Sequence, residues 1–189
     1  MKLLGISGSL RKDATNRKLL DEAQRLFAPS EYVEANLDLP LYDGDLESAE
    51  GVPDAVATLA SQIKAADAIV IATPEYNQSI SGVLKNALDW VSRTDGAPWA
   101  DKPVAIMSAA AGRSGGARAQ YALRLCMQAF RPRILQGPEV MVAASYEAFD
   151  AEGRLSGELY VKLLQELMDA LKAEVSRCTP YAMLWSLHG

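Results

Sequence analysis

Ala68-Ile69-Val70-Ile71-Ala72 is an unbroken run of five apolar residues. A strand with one face in water alternates apolar and polar side chains, so this run requires cover on both faces. Leu3-Leu4-Gly5-Ile6 and Val104-Ala105-Ile106-Met107 repeat the signal, and Tyr32-Val33-Glu34-Ala35 repeats it more weakly. A last strand is expected within Ile134 to Val142, interrupted at Gly137-Pro138. Between these runs the apolar spacing becomes helical: Leu19, Leu20, Ala23, Leu26 and Phe27; Val52, Val56, Leu59, Ala60 and Ile63; Val83, Leu84, Ala87, Leu88 and Val91. Ala119, Ala122, Leu123, Cys126 and Phe130 make a fourth face, and Leu159, Leu163, Leu167, Leu171 and Val175 a fifth. Strands alternating with amphipathic helices predict an α/β fold. The expected form is a doubly wound, five-stranded parallel sheet of order 2-1-3-4-5 with helices on both faces.

The 189 residues suit one domain, expected over 1–179 with a short tail at 180–189. Residues 37–53 are polar and punctuated by Gly and Pro, a loop of about 15 residues, long enough to suspect a role over a site. A net charge of -5 argues against a nucleic-acid partner, which requires a cationic face. Cys126 and Cys178 have no ligand spacing, so no metal is expected and both are taken as free thiols of a reducing compartment. With no leader-like start and no apolar run near the ~18 residues of a membrane span, the chain is expected to be cytoplasmic.

A sheet of this kind binds ligands at the carboxyl ends of its strands. Three loops there carry unusual residues. After the first strand, Gly8, Ser7, Ser9, Thr15, Asn16 and Arg11 combine small residues, hydrogen-bond donors and a forked cation just before a helix. That set suits a phosphate; a serine-rich turn with Thr15 as N-cap is the plainer alternative. After the third strand, Pro74 and Gly82 bracket a segment offering the Tyr76 ring and the Asn77 amide, either for a planar ligand or as a surface turn. After the fourth, Gly112, Gly115 and Gly116 permit close backbone approach to a ligand, or a flexible turn.

Gly8-Ser9-Leu10-Arg11 with Thr15-Asn16, followed by Pro74-Glu75-Tyr76-Asn77, Ser79, Gly82 and Leu84-Lys85-Asn86-Ala87 with Asp89-Trp90, resembles the NADPH-dependent FMN reductase family. Gly115-Gly116-Ala117-Arg118-Ala119-Gln120 with Leu123-Arg124 extends the likeness, which covers most of residues 2–175. The resemblance implies a flavodoxin-like fold, bound FMN, NADPH or NADH as co-substrate, and dimers or tetramers. By position it assigns Ser9, Arg11, Thr15 and Asn16 to the FMN phosphate. Pro74, Glu75, Tyr76 and Asn77 would line the isoalloxazine and ribityl side; Ser108, Gly112, Gly115 and Gly116 would meet the ring. The chain departs from the family pattern at Thr15, where Ser is usual, and at Ser81, where Pro is usual and whose absence would loosen the turn.

The implied activity is two-electron transfer from NAD(P)H through flavin N5 to a small acceptor: a quinone, azo compound, chromate or free flavin. The flavin carries that chemistry. No side chain is assigned a proton-transfer role, and His188 lies in the extreme tail. A flavodoxin-type electron carrier is the alternative enzyme-free reading, and a flavin-free binding protein a third. Apolar residues spread around two helices, namely Val83, Leu84, Ala87, Leu88, Trp90 and Val91, then Tyr121, Leu123, Leu125 and Met127. An outer helix needs one apolar stripe, so the surplus predicts pairing of these helices between copies.

Overall fold

A computed structural model describes residues 1–185; the side chains of 178–185, Cys178 among them, and all of residues 186–189, His188 among them, lie outside what is described. The strands are β1 (Lys2–Ser7), β2 (Glu31–Glu34), β3 (Ala68–Thr73), β4 (Pro103–Ala109), β5 (Arg133–Ile134) and β6 (Val140–Val142). The helices are α1 (Thr15–Phe27), α2 (Gly44–Glu50), α3 (Asp54–Ala65), α4 (Gly82–Val91), α5 (Ala117–Met127) and α6 (Glu158–Trp185). All strand pairs are parallel, in the order β2-β1-β3-β4-β5, with β6 also on β4. The last strand position is thus split into β5 and β6 about the cis Gly137-Pro138 bond, as the sequence suggested. The flavodoxin-like order 2-1-3-4-5 follows, and α6 runs as one helix across the boundary expected at 179/180.

The continuous apolar strands are covered on both faces, and their side chains divide by period two. Leu4, Ile6, Ile69, Ile71, Val104 and Ile106 pack with Leu59 and Ile63 of α3, Leu84 and Leu88 of α4, and Leu123 of α5. Their neighbours Leu3, Ala68, Val70, Ala72, Ala105 and Met107 pack with Leu19, Leu20 and Phe27 of α1 and Leu164 and Leu171 of α6. Every residue of β3 and β4 is buried, so no slip of register is tolerated.

Two expectations are corrected. Residues 37–53 contain the helix α2, capped by the Asp43 side chain, which accepts from the Asp45 amide. This segment packs on α4 and not over the sheet edge. The Pro40 carbonyl accepts from Trp90 Nε1 at 2.8 Å and Asn86 Nδ2 at 2.9 Å, while Glu47 pairs with Arg93. The surplus apolar surface expected on α4 is covered within the protomer: Leu84, Ala87, Leu88 and Val91 join the core, Trp90 is buried with its indole N–H on Pro40, and Val83 is partly buried. On α5, Leu123 and Met127 are core, while Tyr121 and Leu125 remain 56% and 69% exposed.

Candidate active site

A cavity of about 200 Å³ opens at the carboxyl edge of the sheet. Ser9 and Arg11 line it from the loop after β1, and Ala14, Thr15 and Asn16 from the start of α1. Pro74, Glu75 and Tyr76 line it after β3, Ala109, Ala110 and Ala111 after β4, and Ser145 after β6.

The loops after β1 and β3 are pressed together. A Cβ on Gly8 would lie 2.9 Å from Pro74 Cδ, so only glycine lets the two backbones approach. Ser81 Oγ donates to the Gly8 carbonyl at 2.6 Å and accepts from the Leu84 amide at 3.2 Å. This buried hydroxyl caps α4 and ties both loops, so the departure from the family's proline does not loosen the turn. Tyr76 and Ser79 exchange both backbone hydrogen bonds at 3.0 Å across Asn77 (φ 49°) and Gln78 (φ 66°). Two positive φ values make this a tight primed turn, in which Asn is favoured at the first central position. Asn77 therefore forms the turn and does not line the cavity, while the Tyr76 ring stays 53% exposed beside it.

The residues expected after β4 act from beneath. Ser108 is fully buried; its Oγ donates to the Gly115 carbonyl at 2.6 Å and accepts from Gln120 Nε2 at 2.8 Å. Gly115 (φ 58°) and Gly116 (φ 94°) adopt left-handed backbone, and a Cβ on Gly115 would collide with the Met141 carbonyl. Neither Ser108 nor these glycines line the cavity; they hold the wall formed by Ala109, Ala110 and Ala111. Gly112 sits at the exposed outer part of the loop. The Glu75 carboxylate is likewise engaged, accepting from the Arg118 amide at 3.0 Å and the Ala119 amide at 3.4 Å.

Of the four residues expected around a phosphate, Asn16 behaves differently. Its amide is 2% exposed and bonded to both backbone groups of Ala109, donating at 2.8 Å and accepting at 2.9 Å. It locks α1 to the end of β4 through one of its two amide hydrogens, and it lines the cavity as well. Arg11 is exposed and makes no ion pair among the described residues. Ser9 Oγ accepts from the Arg11 amide at 3.3 Å, and Thr15 Oγ1 donates to Ser145 Oγ at 3.3 Å. The N-cap of α1 is Ala14, no side chain caps the helix, and its first turn has no acid. An uncapped N-terminus with adjacent hydroxyls and a free guanidinium is a cradle for an anion.

Sequence reading missed Ser145. It follows the split last strand, outside the loops after strands one, three and four that carry the unusual residues. Its loop is pinned to α1 from farther along: Arg154 and Arg25 both donate to the buried Glu22 carboxylate, at 2.8 and 3.0 Å. Burial pushes the Glu22 carboxyl up, but these bonds outweigh it and hold the group below its ordinary value. Among the described residues no group of His, Cys, Asp and Glu side chains could hold a metal ion. No described helix is long and apolar enough to cross a membrane.

The cleft is bounded by the start of α1 and Arg11, by Pro74 to Tyr76 after β3 and by Ala109 to Ala111 after β4. Comparisons with known proteins identify the family. Residues 1–147 match the family described as NADPH-dependent FMN reductase. An NAD(P)H-dependent FMN reductase of Pseudomonas aeruginosa is 47% identical over 179 residues, spanning 94% of this chain and 96% of its relative. A quinone reductase of Escherichia coli is 42% identical over 144 residues, 75% of this chain and 77% of its own. The solved structure of FerB, a flavoenzyme NAD(P)H:(acceptor) oxidoreductase from Paracoccus denitrificans, superposes with a TM-score of 0.82 at 34% identity. It covers 93% of this chain and 97% of its own.

Proposed function

The chain belongs to the NADPH-dependent FMN reductase family, and from that premise we propose that the anion cradle at α1 takes the FMN phosphate and that a quinone is the acceptor reduced over the cleft. The activity is that of an FMN-dependent NAD(P)H oxidoreductase; the electron-carrier alternative is set aside by the enzyme relatives. The observation that carries the site reading is the uncapped α1 N-terminus facing a free Arg11.

FMN held in this cleft would supply the two-electron hydride chemistry between reduced nicotinamide and the acceptor. The chain's own residues bind and orient. Arg11, Ser9 and the first amides of α1 neutralise the phosphate. Pro74 and Tyr76 on one side and Ala109 to Ala111 on the other confine the ring, and the exposed Tyr76 face offers a stacking surface to a flat acceptor. The charged side chains that line the cleft are Arg11 and Glu75, and neither is assigned a proton transfer.

Association of copies belongs to the same proposal. Tyr121 and Leu125, one turn apart on α5, form the exposed apolar surface that a second copy would cover. A cytoplasmic setting is supported by the free Cys126 thiol and by the need for reduced nicotinamide. The test is a visible spectrum of the purified protein, then anaerobic titration with NADH and NADPH and reoxidation by a benzoquinone. A yellow protein bleached by NAD(P)H and restored by quinone is expected. A protein bleached by NAD(P)H but not restored by quinone would remove the quinone assignment.

A further inference from the structure

Three helix N-termini meet the edge of the sheet where the cleft opens, and two are closed. The hydroxyl of Ser81 caps α4. At α5 the N-cap is Gly116, which has no side chain to offer. The missing acceptor comes from another loop, 43 residues upstream: Glu75 Oε2 takes the Arg118 and Ala119 amides, the second and third of the helix. The Arg118 guanidinium adds a longer contact of 3.5 Å to Oε1. The Glu75 side chain is 13% exposed and lines the cleft next to Pro74 and Tyr76.

We infer that Glu75 is a positioning residue: its carboxylate caps α5 and clamps the loop after β4 against the loop after β3, setting the width of the slot between them. Beneath this clamp Ser108 and Gln120 hold the same loop from the core side, so the alanine wall is fixed from two directions. The capping position matters electrostatically as well. A carboxylate on the α5 N-terminus cancels the partial positive charge that this helix would otherwise project into the cleft. That leaves α1 as the attractive end for an anion. It also places a full negative charge beside the slot, which opposes added electrons on a bound ring.

The inference rests on the FMN reading of the cleft, and its test separates the two. Flavin-free Glu75→Ala should show faster amide exchange at Arg118 and Ala119, on the order of fivefold, as expected for loss of a cap. Riboflavin and FMN should both bind more weakly, by the same factor, because the phosphate cradle is untouched. Glu75→Gln keeps an acceptor oxygen, so it should restore the amide protection and the riboflavin affinity. Having lost the charge, it should shift the midpoint potential of bound FMN to a more positive value. Unchanged exchange and unchanged riboflavin affinity in Glu75→Ala overturn the inference. So does a loss confined to FMN, which would assign Glu75 to the phosphate. A parent protein that binds neither flavin sinks the FMN reading instead, and the amide exchange still decides the cap.

Discussion

The N-termini of α1 and α5 stand at the same edge of one sheet and receive opposite treatment. α5 is closed by Glu75 reaching across from another loop, while α1 begins at Ala14 with no side-chain cap and no acid in its first turn. An uncapped helix end leaves several backbone donors unsatisfied, a cost retained only where something else satisfies them. On the proposed reading the open end takes an external anion, and the closed end is part of the frame. The same difference explains why polar residues at the cleft divide into two kinds. Ser108, Asn16 and Glu75 hydrogen-bond to the protein, while the Arg11 side chain makes no ion pair among the described residues.

Breaking the frame should have the largest effect. Gly115→Ala forces a side chain into left-handed backbone and against the Met141 carbonyl. Strain and overpacking together should cost about 3 kcal/mol, lowering Tm by roughly 8 °C by calorimetry. An unchanged Tm would mean that the loop after β4 is not rigid.

Giving α1 the cap it lacks sharpens the contrast. Ala14 already has the extended backbone of an N-cap, at φ -68° and ψ 134°. Ala14→Asp should stabilise the flavin-free protein by about 1 kcal/mol, yet weaken FMN roughly tenfold by occupying and repelling its phosphate site. A protein stabilised without any loss of FMN would separate the cap from the ligand site.

The smallest effect concerns the anchor behind α1. Glu22 has its folded pKa lowered by the Arg25 and Arg154 bonds despite burial. Its contribution is therefore complete above its ordinary value of 4.5 and fades as pH falls through the lower folded value. Glu22→Gln should be less stable than the parent at pH 7, and the gap should narrow below about pH 4. A gap that stays constant through the acid range would mean that the Glu22 carboxylate contributes nothing through its charge.

The sheet was legible because unbroken apolar runs such as Ala68 to Ala72 admit few folds, and the alternating helices supplied both covers. Helix α2 was not, since none of its residues is buried and it has no apolar stripe to detect. The burial of Trp90 escaped for a related reason: its cover is the Pro40 carbonyl, 50 residues away, which no local pattern reveals. At the site, residue types were readable but directions were not. Asn16 and Ser108 are polar residues at the sheet edge, and only coordinates show their side chains turned onto Ala109 and Gly115. Asn77 was readable as a turn former only once Gln78 was seen to share its left-handed backbone.

The central claim is that α1 and Arg11 hold the phosphate of FMN. The direct measurement is calorimetry of FMN and riboflavin on flavin-free parent protein and on Arg11→Ala. The account predicts that the substitution weakens FMN by about 2 kcal/mol, roughly thirtyfold, while riboflavin binds both proteins equally. Equal losses for the two flavins, or none for either, would contradict it.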